Sequence, residues 1–99
     1  MLKITKKTEN NALVLALEGR LDTITAPQLE TEIKDSLSGV TLLSLDFEKL
    51  DYVSSAGLRV LLSAQKKMNE QGEMTIANVQ PAVMEIFEVT GFSDILTIE

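Results

Sequence analysis

The sequence predicts an α/β fold: a mixed, mostly parallel sheet entered through an N-terminal β-hairpin, in the order β-β-α-β-α-β-α-β, with helices mainly on one face. Three observations predict it. Short apolar runs of strand length alternate with segments whose apolar residues recur at helical spacing, the pattern of parallel strands joined by crossover helices. The segments 41–47 and 74–79 each put most of their large apolar residues on one face, so one face of the sheet is covered and the other is polar. The chain has 99 residues, 44% of them hydrophobic, and no cysteine, which suits one domain over residues 1–99 that needs no covalent staple.

Each element has its own reason. Residues 2–8 set Leu2 and Ile4 among Lys3, Lys6 and Lys7, the lysine load of an edge strand. Asn10-Asn11 tolerates the left-handed angles of a tight turn, and the apolar run 12–17 then reads as a central strand paired with the first. Gly19-Arg20-Leu21-Asp22-Thr23 is expected to break that strand. Thr25 with Gln28 fits a capping box, and Pro27 falls in the tolerated first turn of a helix. Leu29, Ile33 and Leu37 give that helix one buried stripe, and Gly39 stops it.

In the strand 41–47, Leu43, Leu45 and Phe47 share one face, while Leu42, Ser44 and Asp46 share the other. Residues 50–53 read as a strand end and a tight acidic turn. The next helix runs from 55 to about 69 with Leu58, Leu61, Leu62, Gln65 and Met68 inward, and Gln71-Gly72 ends it. Residues 74–79 form a strand, and Pro81 starts a last helix that buries Val83, Ile86 and Phe87. Gly91 fits the position just past that helix, with Phe92 next to it packing back on Phe87. Residues 95–98 add a short final strand. Sequential strand order with crossovers of one hand has no topological switch point, which weakens a nucleotide-crevice reading.

Composition excludes several chemistries. Without cysteine there is no disulfide or thiolate metal site, and without histidine there is no Ser-His-Asp triad, Cys-His pair or imidazole zinc site. Nine basic against fifteen acidic residues leave a net charge of −6, a surface that repels phosphate backbones, so no nucleic-acid partner is expected. The longest apolar run, 12–17, is six residues, far short of a membrane span, and Met1-Leu2-Lys3-Ile4-Thr5 opens no signal-peptide apolar region. A cytoplasmic protein without membrane insertion is therefore expected. The five glycines are isolated, so no phosphate loop and no cofactor are expected. Asp22, Asp46 and Asp51 could meet at the strand ends and hold a divalent ion; the plainer reading puts two in turns and one on a solvated face, with no metal and no catalytic set.

One chemical opportunity is left, Ser54-Ser55-Ala56-Gly57 at the mouth of the 55–69 helix. Either serine can cap the helix by accepting a backbone N–H. The same place suits a phosphate, because unpaired N–H donors and the positive end of the helix dipole favour negative charge. Arg59, four residues after Ser55, leans toward the helix start and could reach such a phosphate; it also reads simply as an exposed solubilising arginine.

The segments Leu45-Asp46-Phe47 and Tyr52-Val53-Ser54-Ser55-Ala56-Gly57-Leu58-Arg59-Val60-Leu61-Leu62 resemble the signature of the STAS-domain anti-sigma factor antagonists. Gly19-Arg20-Leu21-Asp22 before the first helix, and Pro81-Ala82-Val83 through Phe87 to Thr90-Gly91, are similar to the same family in its order. The resemblance implies a non-enzymatic partner switch on a STAS-type domain. The unphosphorylated antagonist binds an anti-sigma factor that is also a serine kinase, and the sigma factor is released. The kinase then phosphorylates the serine before the small residue and glycine, here Ser55, and a PP2C-type phosphatase resets the cycle. The family's partner-facing surface corresponds to Asp22, Thr23, Ser54, Ala56 and Gly57, with Arg59 beside them. Ser54 stands where well-studied members carry an aspartate, which keeps Ser54 as a second candidate acceptor. Two alternatives stay open: a constitutive STAS interaction subunit of a transport or signalling assembly, in which the serines only cap, and a sensor that binds a nucleotide or lipid at the helix mouth.

Overall fold

The computed structural model describes residues 2–99. An edge strand β1 (Leu2–Glu9) turns at Asn10, whose φ is +56°, into β2 (Ala12–Leu21), antiparallel to it. Helix α1 (Ala26–Ser36) leads to β3 (Leu42–Val53), α2 (Ser55–Gln71) to β4 (Glu73–Ala77), and α3 (Pro81–Thr90) is followed by a 3₁₀ turn, Phe92–Asp94. The sheet order is β1-β2-β3-β4, with β2, β3 and β4 mutually parallel. Neighbours in sequence are neighbours in space, as the crossover pattern demands.

The covered face of the sheet carries Leu13, Leu15, Leu17, Leu43, Leu45, Phe47, Met74 and Ile76, all buried, while Val14, Leu42, Ser44 and Asp46 on the opposite face are not. Against the covered face lie Leu29 and Ile33 of α1, Leu58, Leu61 and Met68 of α2, and Val83 and Phe87 of α3. The Phe47 and Phe87 rings meet at 6.2 Å between centroids. At about 25 cal/mol per Å² of apolar surface, this one-sided burial is the dominant favourable term in the fold.

The structure moves several expected boundaries. Gly19 does not break β2; with φ of +109° it sits in a strand that continues to Leu21. Residues 50–53 are not a turn, because β3 extends to Val53. Its pairing with β2 shifts register between Ala16 and Glu18 and again between Gly19 and Arg20, each time with one extra residue on β3. Such bulges spoil the alternation that would otherwise announce a strand. Helix α2 runs on to Gln71, and its buried stripe includes Val60 and Ala64 while Leu62 is only half-buried, since α1 covers that flank.

The capping box is not formed: Thr25 makes no side-chain cap bond to the helix, and Gln28 Nε2 donates instead to the Leu2 carbonyl at 3.0 Å. β4 ends at Ala77, where Asn78 (φ +58°) turns the chain, and not at Val79. Residues 95–98 make one bridge, Ile76 to Ile98, rather than a strand. Gly91 takes the left-handed conformation expected of it, Phe92 packs half-buried against the core cluster that contains Phe87, and the Phe87 ring also meets Phe47 at a tilt.

Candidate functional site

Parallel pairing brings the C-terminal ends of β2 and β3 side by side, with Leu21 opposite Val53. The chain leaves each strand into a helix, so the starts of α1 and α2 lie at one end of the molecule. The Ser54 N–H donates to the Leu21 carbonyl at 2.8 Å, which ties the mouth of α2 to the last residue of β2. Ser54 is extended (φ −92°, ψ 176°) and caps α2, its Oγ accepting the Gly57 N–H at 3.3 Å. Ser55 is the first helical residue and is exposed. The first N–H groups of a helix have no partner within it, so an anion attached to Ser55 would lie among donors.

Gly57 is buried, and a Cβ there would stand 2.7 Å from Leu21 Cγ and 3.0 Å from the Leu21 carbonyl oxygen. Its lack of a side chain lets the first turn of α2 rest directly on β2. Gly57 therefore sets the position of the serines from beneath, whereas half-buried Ala56 is at the surface.

The turn from β2 into α1 is fastened by Asp22 and Thr25. Asp22 Oδ1 accepts the N–H groups of Ile24 and Thr25, each at 3.0 Å. The buried Thr25 hydroxyl accepts the Asp22 N–H at 2.9 Å, and its own proton has the Arg20 carbonyl at 2.8 Å and Asp22 Oδ1 at 3.1 Å. The Thr25 N–H above all holds the Asp22 carboxyl below its ordinary range; desolvation, next in size, opposes it, and the Thr25 hydroxyl, the Ile24 N–H and the Arg20 charge add to the lowering. Arg20 lies 3.8 Å from Asp22 Oδ2 and stacks over the Tyr52 ring at 4.3 Å. Thr23, Ala26, Pro27, Glu30, Ala56 and Arg59 share one depression between this turn and α2.

Asp22, Thr23, Ser54, Ser55, Ala56, Gly57 and Arg59 are thus gathered at one end, Gly57 beneath the surface and the others on it. The three carboxylates weighed as a cation site are not gathered. Asp46 Oδ1 accepts the Glu48 N–H at 3.0 Å and Asn78 Nδ2 at 3.1 Å, and Asp51 lies within β3. Among the described residues no group of three or more carboxylates, cysteines or histidines could hold a metal ion. Among the described residues no helix is long and apolar enough to cross a membrane. Sequence reasoning missed the Thr25 latch and the Arg20–Tyr52 stack. The Asp-x-x-Thr spacing was the available signal for the first, because Asp and Thr side chains compete for nearby backbone groups in just such turns.

Comparison with known proteins agrees with this arrangement. The STAS domain family model matches residues 3–99. A protein of Bordetella bronchiseptica named as an anti-sigma factor antagonist, BtrV, is 36% identical over 99 residues, covering 98% of this chain and 85% of its own. The crystal structure of an anti-sigma factor antagonist from Mycobacterium paratuberculosis has the same fold, with a TM-score of 0.89 at 20% identity over 99% of this chain and 85% of that one. The Bacillus cell fate determinant SpoIIAA, solved in its phosphorylated form, superposes with a TM-score of 0.76 at 20% identity, covering 98% of this chain and 91% of that one. The near-complete family match and the BtrV identity together make this chain a member of the STAS domain family.

Proposed function

We propose that the chain is an anti-sigma factor antagonist that works as a phosphorylatable switch and not as an enzyme. In its unphosphorylated form it binds an anti-sigma factor serine kinase and so releases the sigma factor. Phosphate on Ser55 ends that binding, and a PP2C-type phosphatase restores it. The observation that carries this reading is the division of labour between the two serines: Ser54 is half-buried with its hydroxyl engaged by Gly57, while Ser55 is exposed at the first position of α2. Ser55 is the hydroxyl that a kinase can reach.

A phosphate there adds about −1.5 to −2 charges beside the helix N-terminus, a place that tolerates them, so the fold persists while the contact surface changes. In this reading Arg59, one turn further on the same helix, pairs with the phosphate. The carboxylate of Asp22, Thr23 and Ala56 complete the contact surface, and Gly57 supports it. Loss of one desolvated, charge-sensitive contact costs about 2–5 kcal/mol, or about 30- to several-thousand-fold in affinity, enough to exchange partners.

The test is incubation of the purified chain with ATP and the serine-kinase anti-sigma factor of its host, read by mass spectrometry. One phosphate is expected on the parent and on Ser54→Ala, and none on Ser55→Ala. Ser55→Asp is expected to bind the kinase at least about 30-fold more weakly than the parent. A Ser55→Asp protein binding within twofold of the parent would overturn the reading, as would modification of Ser54 alone.

A further inference from the structure

Two large apolar side chains stand almost entirely in solvent, Ile24 at 87% exposure and Val89 at 80%. Single exposed hydrophobes are ordinary on protein surfaces. What separates the two is the backbone beneath them and their place on the molecule. Val89 lies in the last turn of α3, at the end of the molecule away from the C-terminal ends of the parallel strands. Ile24 lies at the strand-end pole, directly after Thr23, which shares a depression with Ala56 and Arg59 of α2.

The turn that carries Ile24 is fixed from both sides. Its own N–H and that of Thr25 are held by Asp22 Oδ1, and the buried Thr25 hydroxyl holds the Asp22 N–H in return. A β-branched side chain on a fastened turn has little freedom to lose when it enters a pocket, so burial gains are not spent on ordering it. The chain offers it no pocket of its own.

We propose that Ile24 is the apolar anchor for the partner that reads Ser55, inserted into an apolar pocket beside that protein's serine-recognition site. This rests on the function proposed above and adds to it a contact that carries no charge. The pairing also accounts for how a phosphate could act so strongly. A dianion at the same pole as a buried apolar anchor must be desolvated as the anchor docks, and that cost opposes docking whether or not the partner carries an opposing charge. Ile24 supplies affinity and Ser55 supplies the veto.

The test uses the purified serine kinase that phosphorylates the parent chain, with Ile24→Ala, Ile24→Met, Val89→Ala and Ser55→Asp measured by calorimetric titration and by phosphorylation kinetics. Ile24→Ala is expected to weaken binding by about tenfold to a hundredfold, the transfer value of the lost apolar surface. The KM of phosphorylation should rise by the same factor while kcat stays within about twofold, since the anchor positions nothing that reacts. Ile24→Met should retain binding within about threefold, Val89→Ala should equal the parent, and all variants should melt as the parent does. If Ser55→Asp loses the kinase but Ile24→Ala binds within twofold, the anchor is wrong and the switch stands. A fall in kcat at unchanged KM also overturns the anchor. If no kinase modifies the parent chain, the function proposed above fails first and the anchor fails with it.

Discussion

At the scale of single residues, Asp22 is the side chain on which the site's shape most depends. Its carboxylate holds two backbone N–H groups of the β2–α1 turn, and those bonds, led by the one from Thr25, keep its folded-state pKa below the ordinary value of 3.8. A group depressed on folding contributes stability that is complete above its unfolded pKa and disappears as acid carries the solution down through the folded one. Asp22→Asn keeps the shape of the carboxyl but loses the titration. The expected result is a smaller loss of Tm in the variant than in the parent as pH falls below the ordinary carboxylate range. Identical pH profiles for the two proteins would show that the turn does not depend on the charge. The Asp22 carboxylate and the Ser54 cap were within reach of sequence reasoning, because both are local and obey spacing rules. Burial of Gly57 against Leu21 was not, because it depends on a strand 36 positions away that arrives only through parallel pairing.

At the scale of elements, the joint between α2 and β4 leaves no room for a side chain. A Cβ on Gly72 would overlap the Thr41 carbonyl, which accepts the Glu73 N–H at 2.9 Å, while the Thr41 N–H donates to Asn11 at 2.8 Å. Thr41 cannot retreat without loosening the start of three strands at once. Gly72→Ala is therefore expected to cost about 2 kcal/mol or more in urea denaturation, despite the helix preference of alanine, and a cost below about 0.5 kcal/mol would contradict the close approach. The same region shows why element order was legible and element ends were not. Alternation at 43, 45 and 47, and helical spacing at 29, 33 and 37, depend on burial against one neighbour and are written locally. From Glu48 onward β3 has β2 on one side and no β4 on the other, since β4 stops at Ala77 opposite Asp46. Glu48, Lys49 and Asp51 are exposed there, two bulges interrupt the period, and a real strand takes the composition of a turn.

At the scale of the whole molecule, the parallel sheet sends both α1 and α2 off from one pole, and the candidate contacts collect there. The chain measures 33 × 27 × 20 Å, whereas charges are screened over about 8 Å at physiological salt. The net charge of −6, although raised to about −8 by a phosphate, is thus felt at Ser55 only through its nearest members. The ratio of kinase affinities between the unmodified and phosphorylated chains is expected to change by less than about threefold between about 0.15 M and about 0.5 M salt. A ratio that collapses toward one at high salt would mean that long-range repulsion, and not local contact, operates the switch.

The bond from the Ser54 N–H to the Leu21 carbonyl, with Gly57 laid against the same leucine, has a consequence for what the domain can signal. The first turn of α2 is clamped to a strand in the middle of the sheet, so a phosphate on Ser55 finds nothing hinged to move. On the function proposed above, the unmodified and phosphorylated chains would share one shape, and the message would be written in charge. A message of that kind cannot travel. A protein docked anywhere else on this domain is blind to it, and whatever responds to the phosphate must touch it.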